Sequence, residues 1–448
     1  MKKATAAGFR PIALPSLERR VLKNGLTVHV GYRGPLPMVA VRYSRRGGAA
    51  LDAENLFGQA DFTARLLRRG AAGRSANEIS DALDFVGATM GGFASEDVFG
   101  AVLSTPTHQF EPMMELFSQI LSSPDFPEAE LELTRRRTLA QLQNDLDDPG
   151  TLADHALGPA MFGTHPYAHD ASGSRAGITA LKRSDLVAYH QRHAGPAGGH
   201  LFIIGAIDPD AAFKVVDRFF SGWSAPNHAA ATVPDWSGVA RNGDVIVVNK
   251  PEQTQVQVRV AARGLKRGHP DAYPLTVAST ALGGSFTSRL VREIRVKRGL
   301  SYGAGCHNES LGAAGAFVVS SFTETSRVKT LIDVALAEVA KMKKGGPTPA
   351  EMNSVQRYLC GMYPSRLETN EAVLGALCDQ VLFSLPEDAV ARFREKVMAV
   401  SREAAKKAAA DHLFDEERVI VCVGNAEQLQ APLAQYGNVS VIEPLELR

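Results

Sequence analysis

The sequence predicts an α+β protein of two similar domains, each a mostly antiparallel sheet with helices on one face. The order of strands and helices in the first half recurs in the second, and the apolar run LFIIGAIDPDA at 201–211 is echoed by VIVCVGNAEQL at 419–429. Such internal repetition indicates duplication of one folding unit. Residues 221–244 contain Trp, Pro and Gly with little periodicity, as linkers do. We therefore place the N-terminal domain at 1–225, the linker at 226–244 and the C-terminal domain at 245–448.

The first domain opens with strand patterns and then gives clear helix starts. Asn24 and Gly25 form a hairpin signal before alternating apolar residues. A helix is expected to begin near Gly58, and another after Ser75, because Glu78 three residues later completes a capping box. The other elements predicted here are strands at 38–44, 99–104 and 200–208, helices at 109–122 and 184–193, and a helix that ends shortly before Pro149.

The second domain is organised around the segment from Ser285 to Tyr302, SFTSRLVREIRVKRGLSY. Leu290 and Ile294 fall at helical spacing and basic residues occupy the other faces, which predicts a half-buried helix ending at Gly299, with a strand following from Tyr302. The other elements predicted here are strands at 245–249, 256–262, 303–306, 316–322 and 419–424, and helices at 272–282, 325–344 and 349–362.

Composition excludes several classes of function. A net charge of +1 gives no electrostatic reason to expect nucleic acid or an anionic membrane as partner. The four cysteines lie in the second half without a Cys-x-x-Cys spacing, so we expect buried free thiols rather than disulfides or a thiolate zinc site. No apolar run is long enough for a membrane span, and Met1 to Leu14 lacks the apolar core of a signal peptide.

These features favour a cytoplasmic protein, or a periplasmic one if a signal peptide has been removed. Frequent Ala and Arg and the lack of a visible transit peptide favour a bacterial source.

The run RVKRGLSY, from Arg295 to Tyr302, follows a Gly- and Ser-rich loop that contains Gly284 and Ser285. This arrangement resembles the second half of the zinc peptidases related to pitrilysin and the mitochondrial processing peptidase, the inverzincins. The resemblance implies two domains that form half of a clam-shell peptidase chamber. It also implies that Arg295 and Tyr302 stabilise the scissile carbonyl, and that Gly284 and Ser285 help to bind the peptide.

The same resemblance locates the positions of the family's zinc site. Active members carry His-x-x-Glu-His, in which two His one helical turn apart bind zinc beside a Glu base. Asp61, Ala64 and Arg65 stand at those positions, and Gln141 stands where a Glu supplies the third protein ligand. Ala64 cannot accept a proton, and Arg65 is a permanent cation that cannot ligate zinc. We therefore expect no metal and no cofactor in this chain.

Several histidines outside that motif could suggest another metal site. No two of them share one face of a helix, four residues apart, with an acid nearby, so we do not expect a metal there. They are His165, His169, His190, His193 and His200.

Two hypotheses of different classes follow from the resemblance. The first is a catalytically incomplete subunit of a heterodimeric zinc metallopeptidase, inactive alone, which supplies Arg295 and Tyr302 to a homologous partner that carries His-x-x-Glu-His and zinc. The alternative is a non-catalytic structural or peptide-binding relative, like the core subunits of respiratory complexes. The Arg/Tyr pair favours the first, since a purely structural protein has no chemical need for both. In either case the open sheet faces and edges could hold an extended peptide.

Two further hypotheses fit less well. A mitochondrial-type regulatory subunit uses a long glycine-rich loop, represented here only by residues 282–285. An autonomous protease fits least, because the zinc ligands are replaced.

Overall fold

A computed structural model of the chain describes residues 12–225, 232–236, 238–414 and 416–447. Part of the predicted linker, residues 226–231 and 237, lies outside the described residues. The strands of the first sheet fall between residues 18 and 106 and at 200–205, and those of the second fall between 244 and 442. The domain boundaries assigned from the sequence stay a prediction.

The first half contains eight strands and eight α-helices among its described residues. The strands are β1 Glu18–Val21, β2 Thr27–Tyr32, β3 Met38–Arg46, β4 Gly70–Ala71, β5 Arg74–Ser75, β6 Thr89–Ala94, β7 Val98–Pro106 and β8 His200–Gly205. The helices are α1 Gln59–Leu66, α2 Ala76–Val86, α3 Phe110–Ser122, α4 Glu128–Asp145, α5 Pro149–Phe162, α6 Arg175–Ala180, α7 Arg183–His193 and α8 Pro209–Phe220.

The second half contains six strands and seven α-helices among its described residues, together with a π-helix at Val291–Val296. The strands are β9 Asp244–Asn249, β10 Gln255–Arg263, β11 Ala304–Ser310, β12 Gly315–Glu324, β13 Val419–Gly424 and β14 Asn438–Ile442. The helices are α9 Ala272–Leu282, α10 Val328–Gly345, α11 Pro349–Met362, α12 Asn370–Leu382, α13 Phe393–Ala399, α14 Arg402–His412 and α15 Ala426–Leu433.

The two large sheets share one topology. The first has the order β1-β2-β8-β3-β7-β6, and the second, read in the matching direction, has β14-β9-β13-β10-β12-β11. In each sheet, the second pair of neighbouring strands in this order is parallel, and the three pairs after it are antiparallel. The repeat differs at one edge, where β1 is antiparallel to β2 and β14 is parallel to β9. The predicted duplication of a mostly antiparallel α+β unit is confirmed.

Each sheet buries one face against helices of its own half, as predicted. In the first half, Phe62 of α1 and Phe117 of α3 pack with Val28 and Val41 of the sheet. In the second, α9, α10, α11 and α14 supply the helical side of an equivalent core. These cores consist of aliphatic and aromatic side chains that are almost fully buried, so burial of apolar surface is the main stabilising contribution.

The opposite face of each sheet is covered by a helix from the other half. Helix α5 packs on β10 and β13 of the second sheet, where Leu152 is fully buried beside Val421. Helix α12 packs on β3 and β8 of the first sheet, where Leu374 is buried beside Ile204. The expectation that both inner faces are open to a peptide is therefore corrected. The central strands are apolar on both faces, so both faces need cover.

Several local structures agree with their sequence signals. Ser75 and Glu78 form the expected capping box at the start of α2. β1 and β2 form the antiparallel hairpin around Asn24 and Gly25. The four cysteines are free and buried, as expected, and burial raises the pKa of the Cys422 thiol to about 12. In the described part of the chain, every helix lacks either the length or the apolar run that a bilayer span needs.

Candidate functional site

Arg295 and Tyr302 lie together on the surface of the second half. The predicted helix forms as a π-helix that ends before Gly299, whose φ of +55° allows the chain to reverse. The Leu300 N–H donates to the Ile294 carbonyl at 2.9 Å and closes this turn. The turn returns Tyr302 beside Arg295, and the guanidinium carbon lies 4.0 Å from the centroid of the tyrosine ring.

The two aromatic rings that contact Arg295 are exposed to solvent. Tyr302 is 75% exposed, and Phe286, whose ring centroid lies 4.9 Å from the guanidinium carbon of Arg295, is 70% exposed. A cation between two aromatic rings is held in one position by cation–π attraction while its N–H donors remain free. Exposed aromatic side chains at a preformed turn are typical of binding sites.

Other basic residues of this segment have carboxylate partners. Arg289 makes a bidentate pair with Glu351, at 2.8 and 2.7 Å. Lys297 and Arg298 both bind Glu293, which lowers the pKa of that carboxyl group to about 2. Within the described residues, Arg295 has no carboxylate partner. Its guanidinium therefore remains available to a ligand.

Gly284 and Ser285 belong to the loop between α9 and the π-helix. A Cβ on Gly284 would lie 2.8 Å from the Cα of Thr280, so close backbone packing already requires glycine there. The Ser285 carbonyl accepts the Ser288 N–H at 3.1 Å, which begins the turn into the π-helix. The loop positions Phe286 beside Arg295. A direct role of Gly284 and Ser285 in binding substrate stays a prediction.

The residues at the predicted zinc-site positions are held by other contacts. Asp61 forms an ion pair with Arg65, one turn later on α1, at 2.8 Å. Arg65 also donates to the Thr138 hydroxyl of α4 at 3.2 Å. Ala64 is fully buried in the first core, facing β6. An ion pair with a permanent cation occupies the helix face that would carry the two histidines.

Gln141 is not among the residues that contact this ion pair. Its amide donates to Asp145 on the exposed side of α4 at 2.7 Å, whereas Thr138 reaches Arg65. The assignment of Gln141 to the third-ligand position stays a prediction.

The electrostatics of Asp61 do not favour a bound cation either. Burial raises the pKa of its carboxyl group to about 6, and the positive charge of Arg65 opposes that rise only in part. Because the folded state binds this proton more tightly than the unfolded state, ionisation of Asp61 lowers stability as pH rises from about 4 to about 6. A cation would also meet the charge of Arg65.

One other group of side chains in the described part of the chain has the spacing of metal ligands. His269, Asp271 and His412 each offer a ligand atom, and these atoms lie within 4.8 Å of one another. The carboxylate of Asp271 already lies 2.8 Å from Nε2 of His412, and the Asp271 N–H donates to Nδ1 of His269. These bonds join the end of α14 to the start of α9.

The histidines considered from the sequence mostly pair with backbone carbonyl groups. The Nε2 atoms of His165, His169 and His190 lie 2.8 to 2.9 Å from the carbonyl oxygens of Pro234, Ala49 and Leu121. His200 lies 3.2 Å from His29.

The contact between α1 and β6 depends on Gly92. A Cβ at this position would lie 1.9 Å from the carbonyl oxygen of Ala64. Gly92→Ala is therefore expected to lower the free energy of unfolding by about 1–3 kcal/mol through overpacking, measured by chemical denaturation. Gly91→Ala is the matched control, because nothing lies within 4 Å of a Cβ there. Equal losses from the two variants would contradict this explanation.

Sequence reasoning missed the other residues around Arg65. Arg68, Arg69 and Arg137 line a cavity of about 260 Å³ with it. The paired arginines at 68–69 and the run RRR at 135–137 are visible in the sequence, but nothing local indicates that the two runs meet.

Comparison with known protein families gives two matches along the chain. Residues 37–172 match "Insulinase (Peptidase family M16)", and residues 180–359 match "Peptidase M16 inactive domain". Together the two matches cover more than two thirds of the chain, in the order expected of the two halves. The chain belongs to peptidase family M16.

Relatives of this M16 chain include proteins with different names. An uncharacterized zinc protease of Mycobacterium leprae is 24% identical over 80% of this chain and 81% of its own length. A protein named non-peptidase homolog YmxG, from Helicobacter pylori, is also 24% identical, over 78% of this chain and 81% of its own length.

Solved structures share the fold of this M16 chain. A peptidase M16 inactive domain from Pseudomonas fluorescens superposes with a TM-score of 0.85 at 25% identity, over 91% of this chain and 98% of that one. A protease from Helicobacter pylori also gives 0.85, at 19% identity, over 92% of this chain and 100% of that one. The predicted zinc peptidase family is thereby confirmed. The match to the inactive domain and the YmxG homologue are consistent with a catalytically incomplete member.

Proposed function

We propose that this chain is the non-zinc subunit of a two-chain metallopeptidase, and that Arg295 and Tyr302 complete the active site of a zinc-bearing partner. The observation that carries the proposal is the stacking of Arg295 on the exposed ring of Tyr302. A guanidinium and a phenol are donors suited to the negative charge that develops on a scissile carbonyl oxygen. The partner's zinc would supply the activated water.

The first half also supports a function in which the partner, and not this chain, supplies the zinc. The Asp61–Arg65 ion pair stands where the partner would carry zinc ligands, so this chain contributes no metal of its own to the reaction. Arg295 and Tyr302 cannot hydrolyse a peptide without such a water. The chain is therefore expected to be inactive alone.

A peptide could bind this subunit along β6. Among the described residues, that strand is an edge of the first sheet and pairs with β7 alone, so its outer backbone groups could pair with an extended peptide. Gly91 and Gly92 leave the middle of this strand without side chains. This route does not need the inner sheet faces, which α5 and α12 cover.

The alternative function is a structural or peptide-holding subunit without a part in catalysis. Both functions allow peptide binding, but only the first requires the Arg295 donors during the reaction.

Affinity purification from the native host tests the proposal. The purified material is assayed for peptide hydrolysis with and without a zinc chelator, and its chains are identified by mass. We expect a co-purifying homologue with His-x-x-Glu-His and an activity that the chelator abolishes and the isolated chain lacks. A single inactive species, or a partner without that motif, would favour the structural alternative.

A further inference from the structure

The cavity beside β6 has an unusual concentration of positive charge. Four arginines line it, namely Arg65, Arg68, Arg69 and Arg137. They come from two helical regions, since the first three follow one another at and just beyond the end of α1, and the last lies on α4. Side chains from separate elements thus converge on one volume.

Two of these four arginines form ion pairs with carboxylates of the described residues. Arg65 pairs with Asp61 at 2.8 Å, and Arg69 lies 4.0 Å from Glu130. Arg68 and Arg137 have neither a hydrogen bond nor an ion pair with any residue that the structure describes. Arg68 is partly buried, and burial together with the charge of Arg69 lowers its pKa, whereas the negative charge of Asp84 opposes this shift. Arg68 and Arg137 therefore line the cavity without a carboxylate in direct contact among the described residues.

The remaining lining is suited to a small oxygen-bearing group. Thr134 and Thr138 contribute hydroxyls from α4, and Gly91 and Gly92 contribute backbone from the edge strand β6. A volume of about 260 Å³ lies below the size of typical sites for drug-sized ligands but accommodates one acidic side chain with water.

We propose that this cavity binds the carboxylate of an acidic residue in a peptide that lies along β6. Guanidinium groups form charge-assisted, bidentate hydrogen bonds with carboxylates, and Arg68 and Arg137 are available to make them. A peptide paired with β6 directs alternate side chains to one face of the sheet. The cavity borders that strand at Gly91 and Gly92, so one such side chain can enter it.

The proposal rests on the proposed function only in that both require this chain to bind peptides. It adds the class of ligand, which is an acidic peptide. It also gives the region around the predicted zinc-site positions a role in binding an anion. Arg65, which excludes a metal, becomes part of the recognition surface. Inorganic phosphate is also an anion that guanidinium groups can bind. The experiment must therefore distinguish phosphate binding from binding of a peptide carboxylate.

The test uses the full chain and two fluorescent peptides with capped ends, one with a central Glu and the other with Gln in its place. Binding is followed by fluorescence anisotropy at low and high salt. We expect the Glu peptide to bind about tenfold more tightly than the Gln peptide at low salt, with the difference shrinking as salt rises. The double variant Arg68→Gln, Arg137→Gln should remove the preference and leave the Gln peptide unaffected.

Arg136→Gln is the matched control, because this exposed arginine lies on α4 next to Arg137 but outside the cavity lining. Equal binding of the two peptides to the wild-type chain, or an equal loss in the double variant and in the control, would overturn the anion site and leave the proposed function standing. If neither peptide binds, the anion site falls, whereas the proposed function is decided by the co-purification and chelator experiment. Inorganic phosphate that binds the cavity as tightly as the Glu peptide would overturn the assignment to a peptide.

Discussion

Arg295→Ala is expected to lower the peptidase activity of the reconstituted two-chain complex about a hundredfold. Removal of one preorganised donor to a tetrahedral intermediate typically costs this much in kcat. Arg295 has no carboxylate partner within the described residues, and its ring contacts are exposed, so its loss should hardly change the stability of the chain. The measurement is kcat and KM of the complex for one peptide, together with thermal unfolding of the isolated variant.

Tyr302→Phe refines this test, because it removes the hydroxyl donor and keeps the ring that supports Arg295. Its effect should also fall on kcat. Arg292→Ala is the matched control, since this exposed arginine of the same π-helix lies 3.5 Å from Glu293 and has no aromatic partner among the described residues. An unchanged rate in Arg295→Ala, or equal losses in Arg295→Ala and Arg292→Ala, would contradict a role in catalysis.

Leu152→Ala is expected to lower the free energy of unfolding by about 2–5 kcal/mol. Leu152 is fully buried on α5, which belongs to the first half by sequence and packs on the second sheet. The substitution leaves a cavity at the junction of the halves, and α12 makes the reciprocal contact. We therefore expect the two halves to unfold in one transition, both in the wild type and in this variant.

Two probes distinguish the halves. In a Trp236→Phe, Cys378→Ala background, fluorescence reports Trp223 in the first core, while thiol labelling of the three remaining cysteines reports the second core. Leu36→Ala is the control, because the same side chain is removed from an exposed position. Loss of the second sheet alone in Leu152→Ala, or a cost equal to that of the control, would show that α5 does not couple the halves.

Most elements could be predicted because their signals lie within a few residues of one another. The bounds of α9, α11 and β13 agree with the sequence patterns, as does the capping box at Ser75. Helices α5 and α12 are among those that were missed. Asp148 caps α5 with proline at its first position, a signal that could have revealed it, but both helices are packed between the two halves rather than on one solvent-exposed surface.

The duplicated fold, the predicted replacement of zinc ligands and the Arg295–Tyr302 pair could all be recognised in the sequence. Each of these features depends on a short run of residues or on the repetition of such runs along the chain. Three other features require the folded structure. A helix from each half packs on the sheet of the other, Asp61 pairs with Arg65 beside Thr138, and the arginines at 65–69 lie near Arg137 beside β6. These groups are separated by about 70 residues of chain, and the packing of α1 against the first sheet and of α4 against α1 brings them together. Local sequence fixes each side chain's identity, but long-range burial of apolar surface fixes its neighbours.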